Sequence, residues 1–556
     1  MTYAAAALLH ADAALLHADA ALLAADSVPA AGSLIQSVDW VAVAPPTIVA
    51  VAALVLLVAD LFLTDARKRL LGWAAVAALA VACLSLLPLV GEDRGTFCLT
   101  TDPTLCSYSA DTLALVVQFL VLGAALVTAL LSLVVVQDAD LPRGEFWFLL
   151  LSTAAGAALL PASRDLATLV IALEVASLPT FALVTLRQGD RRASEAAVKF
   201  FLSSVTATAV TLMGVSFVYA ATGSLHLSRV ATALPVVDAR MTSLAAVGVT
   251  LTLVGFAFKT AVVPFHFWVP ETYVGAPVPV AAYLSVVGKT VGFGGLILVT
   301  ILAFPTYATT WGPVLAVLAA LTMTVGNVAA MRQRPDTRDS AVRLLAWSSV
   351  GQAGYLIVPI AAAAWADAPM RAVGATLAYA LMYAAVNLGA FAVVIHVARG
   401  ARANRLLDHR ALYSSHPLLA LALAFFLLCL AGLPPGVVGL FAKVAVFGAA
   451  VDAGLGWLAV VMAVNVVIGL VYYLRWTALL FQRPEPAPEA APETESAAKA
   501  AAAEGAVGAV GALVRTPVRA RVPLPIAAVV ALTATIAVVL SGAPQLILRL
   551  VGVGVL

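Results

Sequence analysis

Lysine occurs in unusual places in this sequence. The chain has only six lysines, and four of them, Lys199, Lys259, Lys289 and Lys443, fall inside long apolar stretches. Charged side chains in such stretches are costly at membrane depth and commonly mark the paths of ions or substrates. A buried lysine can release its proton, whereas arginine stays charged. These four side chains are therefore candidate proton carriers.

Two of the lysines lie close to clusters of proline. Pro264 follows Lys259 by five residues, and Pro434 precedes Lys443 by nine. Proline interrupts a helix, and the freed backbone groups are tolerated at membrane depth only where protein or a hydrated cavity satisfies them. We therefore predict two broken helices that each carry a lysine, as in internally repeated transporters. Lys259 has an alternative, because a lysine near a loop can extend to the lipid headgroups.

The other candidate residues depend more on their surroundings. Glu174 is a glutamate well inside an early apolar stretch, and a carboxylate that approaches and leaves a lysine changes how firmly that lysine holds its proton. Lys199 follows Glu195 by four residues, so a local surface pair is an open alternative for it. His266 lies beside the first proline cluster, where a proton relay and a purely structural role are equally open.

The composition indicates a polytopic membrane protein of the all-α class. The 556 residues are 63% hydrophobic and 11% charged, whereas soluble domains carry about 25% charged residues. This balance excludes a soluble enzyme or a nucleic-acid-binding protein, and apolar runs long enough to cross a bilayer follow one another. The fourteen predicted spans are 44–63, 70–90, 111–136, 145–161, 165–186, 195–221, 243–263, 278–304, 312–331, 340–363, 371–398, 417–450, 454–480 and 523–549.

The basic residues predict the orientation of these spans. The loops that follow odd-numbered spans, together with the stretch 481–522, hold 20 of the 31 lysines and arginines. Cytoplasmic loops carry such an excess of positive charge. We therefore expect a multi-pass protein of the bacterial cell membrane with its N-terminus outside.

Two segments lie outside this pattern of spans. Residues 1–37 contain a heptad-like extension, and residues 483–522 are rich in Pro, Ala and Glu, which is typical of a disordered cytoplasmic linker. Cys98 and Cys106 share one loop, and both a disulfide and free thiols are open there. The spacing of histidines, cysteines and carboxylates matches no metal site.

Several motifs resemble one known family. They are LEVASLPTFALV around Glu174, FKTAVVPFHFWVPETYVGAPVPVAAYL from Phe258, and LAGLPPGVVGLFAKV, which ends just after Lys443. From about Val38 to Phe481 the chain is similar to the antiporter-like membrane subunits of the bacterial proton-pumping NADH:quinone oxidoreductase, respiratory complex I. The lysines at Lys289 and Lys443 favour subunit N within that group.

The resemblance implies an architecture and partners. It divides the chain into helices 1–3 (38–144), two inverted five-helix repeats (145–304 and 312–482) and helix 14 (523–556). The function implied is proton translocation coupled to quinone reduction elsewhere in the complex. FMN, iron–sulfur clusters and quinone are expected in partner subunits and none of them in this chain. The expected partners are other membrane subunits, especially adjacent antiporter-like ones, and no nucleic acid. The alternatives are a subunit of a multisubunit cation/proton antiporter, a purely structural membrane scaffold and a free-standing solute carrier.

The resemblance also assigns roles to particular residues. Glu174 is expected to be the carboxylate partner of Lys259, Lys289 the central relay, and Lys443 the lysine of the second broken helix. Many relatives have histidine where this chain has Gln352. Glutamine can hydrogen-bond a chain of water molecules but cannot hold the proton, so this chain lacks the titrating group that those relatives have at this position.

Overall fold

Helices that cross the membrane account for most of the structure. The computed structural model describes residues 38–100, 102–187, 189–401, 403–483, 521–546 and 549. Within these ranges, thirteen helices are long and apolar enough to span a bilayer. The remaining predicted span, 417–450, consists of two shorter helices. The all-α polytopic class is therefore confirmed, whereas the N-terminal heptads and nearly all of the linker 483–522 lie outside the described residues.

The helices are numbered here in chain order. The first set is α1 (Trp40–Phe62), α2 (Arg69–Leu84), α3 (Thr112–Asp138), α4 (Arg143–Leu159), α5 (Leu166–Thr185), α6 (Arg191–Thr222), α7 (Leu227–Ala233), α8 (Thr242–Thr260), α9 (Trp268–Gly275), α10 (Val278–Tyr283) and α11 (Lys289–Ile297). The second set is α12 (Ala308–Met331), α13 (Ser340–Ala362), α14 (Pro369–Gly400), α15 (Leu412–Ser415), α16 (Pro417–Ala431), α17 (Val437–Asp452), α18 (Gly456–Phe481) and α19 (Leu524–Gly542).

A β-hairpin joins α2 to α3, where the sequence predicts only a loop. Its strands are β1 (Arg94–Leu99) and β2 (Asp102–Ala110), which pair antiparallel. A disulfide between Cys98 and Cys106 connects the two strands, which resolves the alternative left open by the sequence. The Tyr108 hydroxyl donates to the carbonyl oxygen of Ala42 at 3.1 Å, so the hairpin is anchored to α1.

Both predicted helix breaks are present. The first break, residues 261–267, separates α8 from α9, and the second break, residues 432–436, separates α16 from α17. Each contains one cis X–Pro peptide bond. The Thr322 hydroxyl of α12 accepts a hydrogen bond from the Val263 N–H at 3.0 Å. Backbone groups freed by a break are thus satisfied by neighbouring helices, as burial at membrane depth requires.

The centre of the molecule lies around α10, α11, α13 and α14. The described residues of α10 and α11 are all buried, and α13 is buried along nearly its whole length. In contrast, α1 and α19 expose large apolar side chains such as Leu61 and Leu524. Membrane helices at the periphery face lipid or partner subunits, so polar side chains on the central helices are enclosed by this chain alone.

Candidate functional site

Lys259 is enclosed by protein at the end of α8. The residue lies in the last helical turn before the first break and is only 3% exposed. Its Nζ atom has no hydrogen-bond partner in the part of the chain that the structure describes, but lies 5.4 Å from the centre of the Phe200 ring. An aromatic face attracts an ammonium group. The side chain therefore points into the helix bundle, and the headgroup alternative is not what the structure shows.

Glu174 lies on α5 and is half-buried. Its Oε1 atom accepts a hydrogen bond of 2.6 Å from the Thr208 hydroxyl of α6. The described residues contain no ion pair of 4.0 Å or less between Glu174 and Lys259. Exposed apolar side chains, among them Ile171 and Val175, flank the carboxylate on α5. The expected pairing of Glu174 with Lys259 stays a prediction, because the two groups are apart in this structure.

Lys289 begins α11 directly after a π-helical turn, Leu284–Gly288. It is 2% exposed, and its Nζ atom also lacks a hydrogen-bond partner among the described residues. Wide helical turns of this kind occur often at functional sites. The deep position predicted for Lys289 is therefore what the structure has.

A close approach of two helices positions Lys289 relative to Lys259. A Cβ atom on Gly292 would lie 2.3 Å from the Thr260 hydroxyl oxygen and 2.4 Å from the Thr260 backbone nitrogen. Only glycine fits there, so α11 packs directly against the lysine-bearing end of α8. The gap at this contact is too narrow to hold a water molecule. Its polar lining residues include Thr153, Thr180, Lys259 and Tyr283.

Lys443 has protein partners, unlike the other two buried lysines. It is 6% exposed and lies on α17. Its Nζ atom donates to the carbonyl oxygens of Leu430 at 2.9 Å and Ala431 at 2.7 Å. These carbonyl groups lie in the last turn of α16, where helix carbonyls lack intrahelical partners and carry a partial negative charge. The second break thus creates a binding site for an ammonium group.

Lys199 lies outside the buried set. Its side chain is 53% exposed and forms an ion pair of 2.6 Å with Glu195, so the local alternative describes its geometry. It lines an open cavity together with Arg332, Arg334 and Arg338, which lie between α12 and α13. His266 lies in the first break with its ring 5.6 Å from that of Trp347. Its Nδ1 atom has no hydrogen-bond partner in the described ranges.

A cluster of hydroxyl and amide groups between the buried lysines was not predicted. The Gln352 Nε2 atom donates to the Tyr473 hydroxyl at 3.1 Å, and the Tyr379 hydroxyl donates to Gln352 Oε1. Farther along α14, Asn387 Nδ2 donates to the Ser285 hydroxyl at 2.6 Å. On α14 their signal in the sequence is a set of three polar residues spaced four apart, Tyr379, Tyr383 and Asn387, within a largely apolar span.

The described residues contain no group of three or more His, Cys, Asp or Glu side chains that could hold a metal ion. The polar groups around the buried lysines are carboxylate, hydroxyl and amide groups. Among these, lysine and carboxylate can hold or release a proton, and hydroxyl groups can both donate and accept one hydrogen bond to pass it on.

The sequence is similar to a well-defined family. Residues 163–469 match the family model described as NADH:quinone oxidoreductase/Mrp antiporter, TM. NADH-quinone oxidoreductase subunit N 2 of Streptomyces griseus subsp. griseus is 65% identical over 523 residues, which cover 94% of this chain and 95% of the relative. NADH-quinone oxidoreductase subunit N of Salinispora tropica is 44% identical over 533 residues, which cover 93% of this chain and 99% of the relative.

Solved structures have the same fold. A chain of respiratory complex I from Thermus thermophilus, with bound aureothin, matches with a TM-score of 0.68 and 30% identity over 91% of this chain and 98% of that one. A chain of the Mrp complex from Dietzia sp. matches with a TM-score of 0.75 and 22% identity over 92% and 96%, which supports the fold alone. The extent and identity of these matches show that the chain belongs to the NADH-quinone oxidoreductase subunit N family.

Proposed function

We propose that this chain is a proton-translocating membrane subunit of a bacterial NADH:quinone oxidoreductase, with Glu174 and the four membrane lysines in its proton path. The observation that carries the proposal is the burial of Lys259, Lys289 and Lys443 in a chain of this family. Two of these ammonium groups have no hydrogen-bond partner among the described residues. A buried charge without a partner is unfavourable unless it binds water or loses its proton.

In the proposed cycle, Glu174 approaches Lys259 and holds it protonated. When a rearrangement in a neighbouring subunit draws Glu174 back to Thr208, the proton passes from Lys259 through Lys289 to Lys443 and leaves on the outer side. The Glu174–Thr208 hydrogen bond of 2.6 Å supports this cycle, because it gives the carboxylate a stable partner when it is away from Lys259. Lys199 would be the first acceptor on the cytoplasmic side, where it lines an open cavity.

The energy of an ion pair is comparable to the cost of moving a proton against the membrane potential. Moving one charge against a membrane potential of about 100 mV costs about 2.3 kcal/mol. Two unit charges about 4 Å apart attract each other by about 4 kcal/mol at an effective dielectric constant of about 20. Opening or closing one ion pair therefore changes the energy of the proton enough to drive it across the membrane.

The partners follow from the surface of α5. Large apolar side chains that include Ile171, Val175 and Leu178 are exposed beside Glu174. We infer that an adjacent antiporter-like subunit covers this face, so that a rearrangement in that subunit can move the Glu174 side chain. The FMN, iron–sulfur and quinone chemistry would lie in partner subunits, with no cofactor in this chain. The protein would lie in the bacterial cell membrane with its N-terminus outside, and the loops rich in arginine would be cytoplasmic.

The test replaces Glu174 by Gln and Lys259 by Met, each in the assembled complex reconstituted in vesicles. We expect quinone-dependent proton pumping to fall to the level of vesicles treated with a protonophore. NADH oxidation by an artificial electron acceptor should be unchanged, because the redox centres lie in other subunits. Lys68→Met is the matched control, since Lys68 lies in a loop and pairs with Asp60 at 2.9 Å.

Normal pumping by correctly assembled Lys259→Met complex would contradict the proposed role. The rival function, a subunit of a cation/proton antiporter, predicts instead sodium-dependent transport by a complex that does not oxidise NADH. Co-purification of the tagged chain with its partners separates the two, and the relatives named above favour the oxidoreductase.

A further inference from the structure

One face of α14 carries a buried polar stripe. We call Tyr379, Tyr383 and Asn387 the α14 stripe; they are spaced four residues apart and are all at most 2% exposed. At a rise of about 1.5 Å per residue, the stripe is about 12 Å long. Residues at this spacing lie above one another on the same helical face. The stripe therefore runs along the helix axis through the centre of the molecule.

The first end of the α14 stripe is close to Lys443. The Tyr379 ring stacks on the Tyr355 ring at a centroid distance of 5.9 Å, and Lys443 Nζ lies 5.6 Å from the centre of the Tyr355 ring. The Tyr379 hydroxyl also donates to Gln352, whose amide donates in turn to the Tyr473 hydroxyl. Gln352 is thus fixed in one orientation by two tyrosines.

The other end of the α14 stripe is close to Lys289. Asn387 Nδ2 donates to the Ser285 hydroxyl at 2.6 Å. Ser285 lies in the π-helical turn that immediately precedes α11, four residues before Lys289. The stripe therefore begins and ends beside the two lysines between which the proposed proton transfer takes place.

The middle of the stripe has an orphaned polar atom. The Tyr383 hydroxyl, like Lys289 Nζ, is buried and makes no hydrogen bond of 3.5 Å or less within the described part of the chain. The Ser285 and Ser349 side chains lie near this hydroxyl. Buried polar groups are satisfied almost without exception, by protein or by ordered water. A buried hydroxyl and a buried ammonium group in this condition each favour an ordered water molecule as a partner.

We propose that the α14 stripe, with Gln352 and Ser285, is the proton-conducting bridge between Lys289 and Lys443. This inference rests on the proposed function. The Lys289 ammonium gives a proton to an adjacent water or hydroxyl oxygen, and each oxygen passes its own hydrogen to the next as it receives one. The last hydrogen goes to a neutral Lys443 amine, so one O–H bond forms for each one broken and no oxygen keeps a net charge.

The amide groups have a different part in the bridge. Neither Gln352 nor Asn387 can hold an extra proton, and each carries both donors and an acceptor. Gln352 orients the hydroxyls of Tyr379 and Tyr473, and Asn387 orients that of Ser285. They are positioning residues, and the hydroxyl groups with water carry the hydrogen ions. The bridge between Lys289 and Lys443 therefore needs no titrating histidine at position 352.

The test is Tyr383→Phe in the full complex. The substitution removes one oxygen atom that makes no hydrogen bond of 3.5 Å or less to described protein groups, so we expect normal assembly and nearly unchanged stability. We expect slower quinone-dependent pumping and a larger rate ratio between H2O and D2O than in the unchanged complex, because proton hopping becomes limiting. Tyr379→Phe should slow pumping as well, through loss of the Gln352 contact.

Tyr108→Phe is the matched control. It removes a buried hydroxyl that bonds to Ala42 and Gln118 and to no residue of the α14 stripe, and should leave the H2O/D2O ratio unchanged. If Tyr383→Phe and Tyr379→Phe both pump normally while Lys289→Met does not, the bridge is wrong and the proposed function stands. A slower rate with an unchanged ratio would indicate a packing role and would also overturn the bridge. Normal pumping by Lys289→Met would instead remove the proposed function itself.

Discussion

The two broken helices place their lysines in opposite circumstances. Lys443 donates to two carbonyl oxygens that the second break leaves free. Lys259 lies in the last turn before the first break, yet its Nζ atom has no hydrogen-bond partner among the described residues. A broken helix in this fold therefore does not stabilise a cation by itself. The ammonium group must also reach the freed carbonyl groups.

Whether each lysine can contact the freed carbonyl groups depends on its position before or after the break. Lys443 comes after the second break, so its side chain extends back over the end of α16, and Gly432 leaves space for it with φ +85°. Lys259 comes before the first break, and the Trp268 indole donates to the Phe258 carbonyl at 3.3 Å instead. The first break thus leaves Lys259 without a hydrogen-bond partner among the described residues, whereas the second break binds Lys443 through two carbonyl groups. This difference is consistent with the proposed roles of Lys259 as a donor and Lys443 as the final acceptor.

The largest effect on stability is expected for Lys443→Met. The substitution leaves the carbonyl groups of Leu430 and Ala431 buried without their donor, and unmade hydrogen bonds to charged groups cost about 1.5 to 3 kcal/mol. We expect the free energy of unfolding of the purified full-length chain in lipid–detergent micelles to fall by about this amount. An unchanged free energy would mean that water replaces the ammonium group at no cost.

Lys259→Met should act in the other direction. Methionine fills similar space and removes a buried cation that lacks a hydrogen-bond partner in the described residues. Replacing buried charges by apolar groups is commonly neutral or stabilising by about 1 kcal/mol or more. We expect the free energy of unfolding, measured in the same micelles, to rise by about 1 kcal/mol. A clear loss of stability would show that Lys259 is as firmly bound as Lys443.

The smallest effect is expected for Lys199→Gln. Its exposed ion pair with Glu195 spans one helical turn, and solvent and salt screen such pairs strongly. We expect no resolvable change in the unfolding midpoint of the purified chain in the same micelles, at low or at high salt. A clear loss of stability that does not depend on salt would place Lys199 with the buried lysines.

Much of this arrangement is contained in local sequence. The breaks follow from Pro264 and Pro434, because proline cannot continue a helix within either stretch. The depth of Lys289 follows from the long apolar runs on both sides of it. Each of these predictions depends on a few neighbouring residues and needs no knowledge of which helices meet.

Other features depend on contacts between distant parts of the chain. Gln352 is fixed by Tyr473, 121 positions farther on, and sequence periodicity carries no such information. Whether Glu174 faces Lys259 or Thr208 depends on the packing of α5 against α6. The β-hairpin was missed because its two short strands stabilise each other only in combination, and one disulfide adds to the pairing.

The last helix, α19, packs against both α17 and α14. The Ser541 hydroxyl of α19 accepts a hydrogen bond of 3.1 Å from the Val438 N–H, one of the free amides at the start of α17. A Cβ atom on Gly389 of α14 would lie 2.7 Å from the Thr533 hydroxyl of α19. Because α19 is covalently linked to α18, its effective concentration near α14 and α17 is high. A chain severed between α18 and α19 would have to recapture its final helix by collision in the membrane before the half-helix bearing Lys443 is complete.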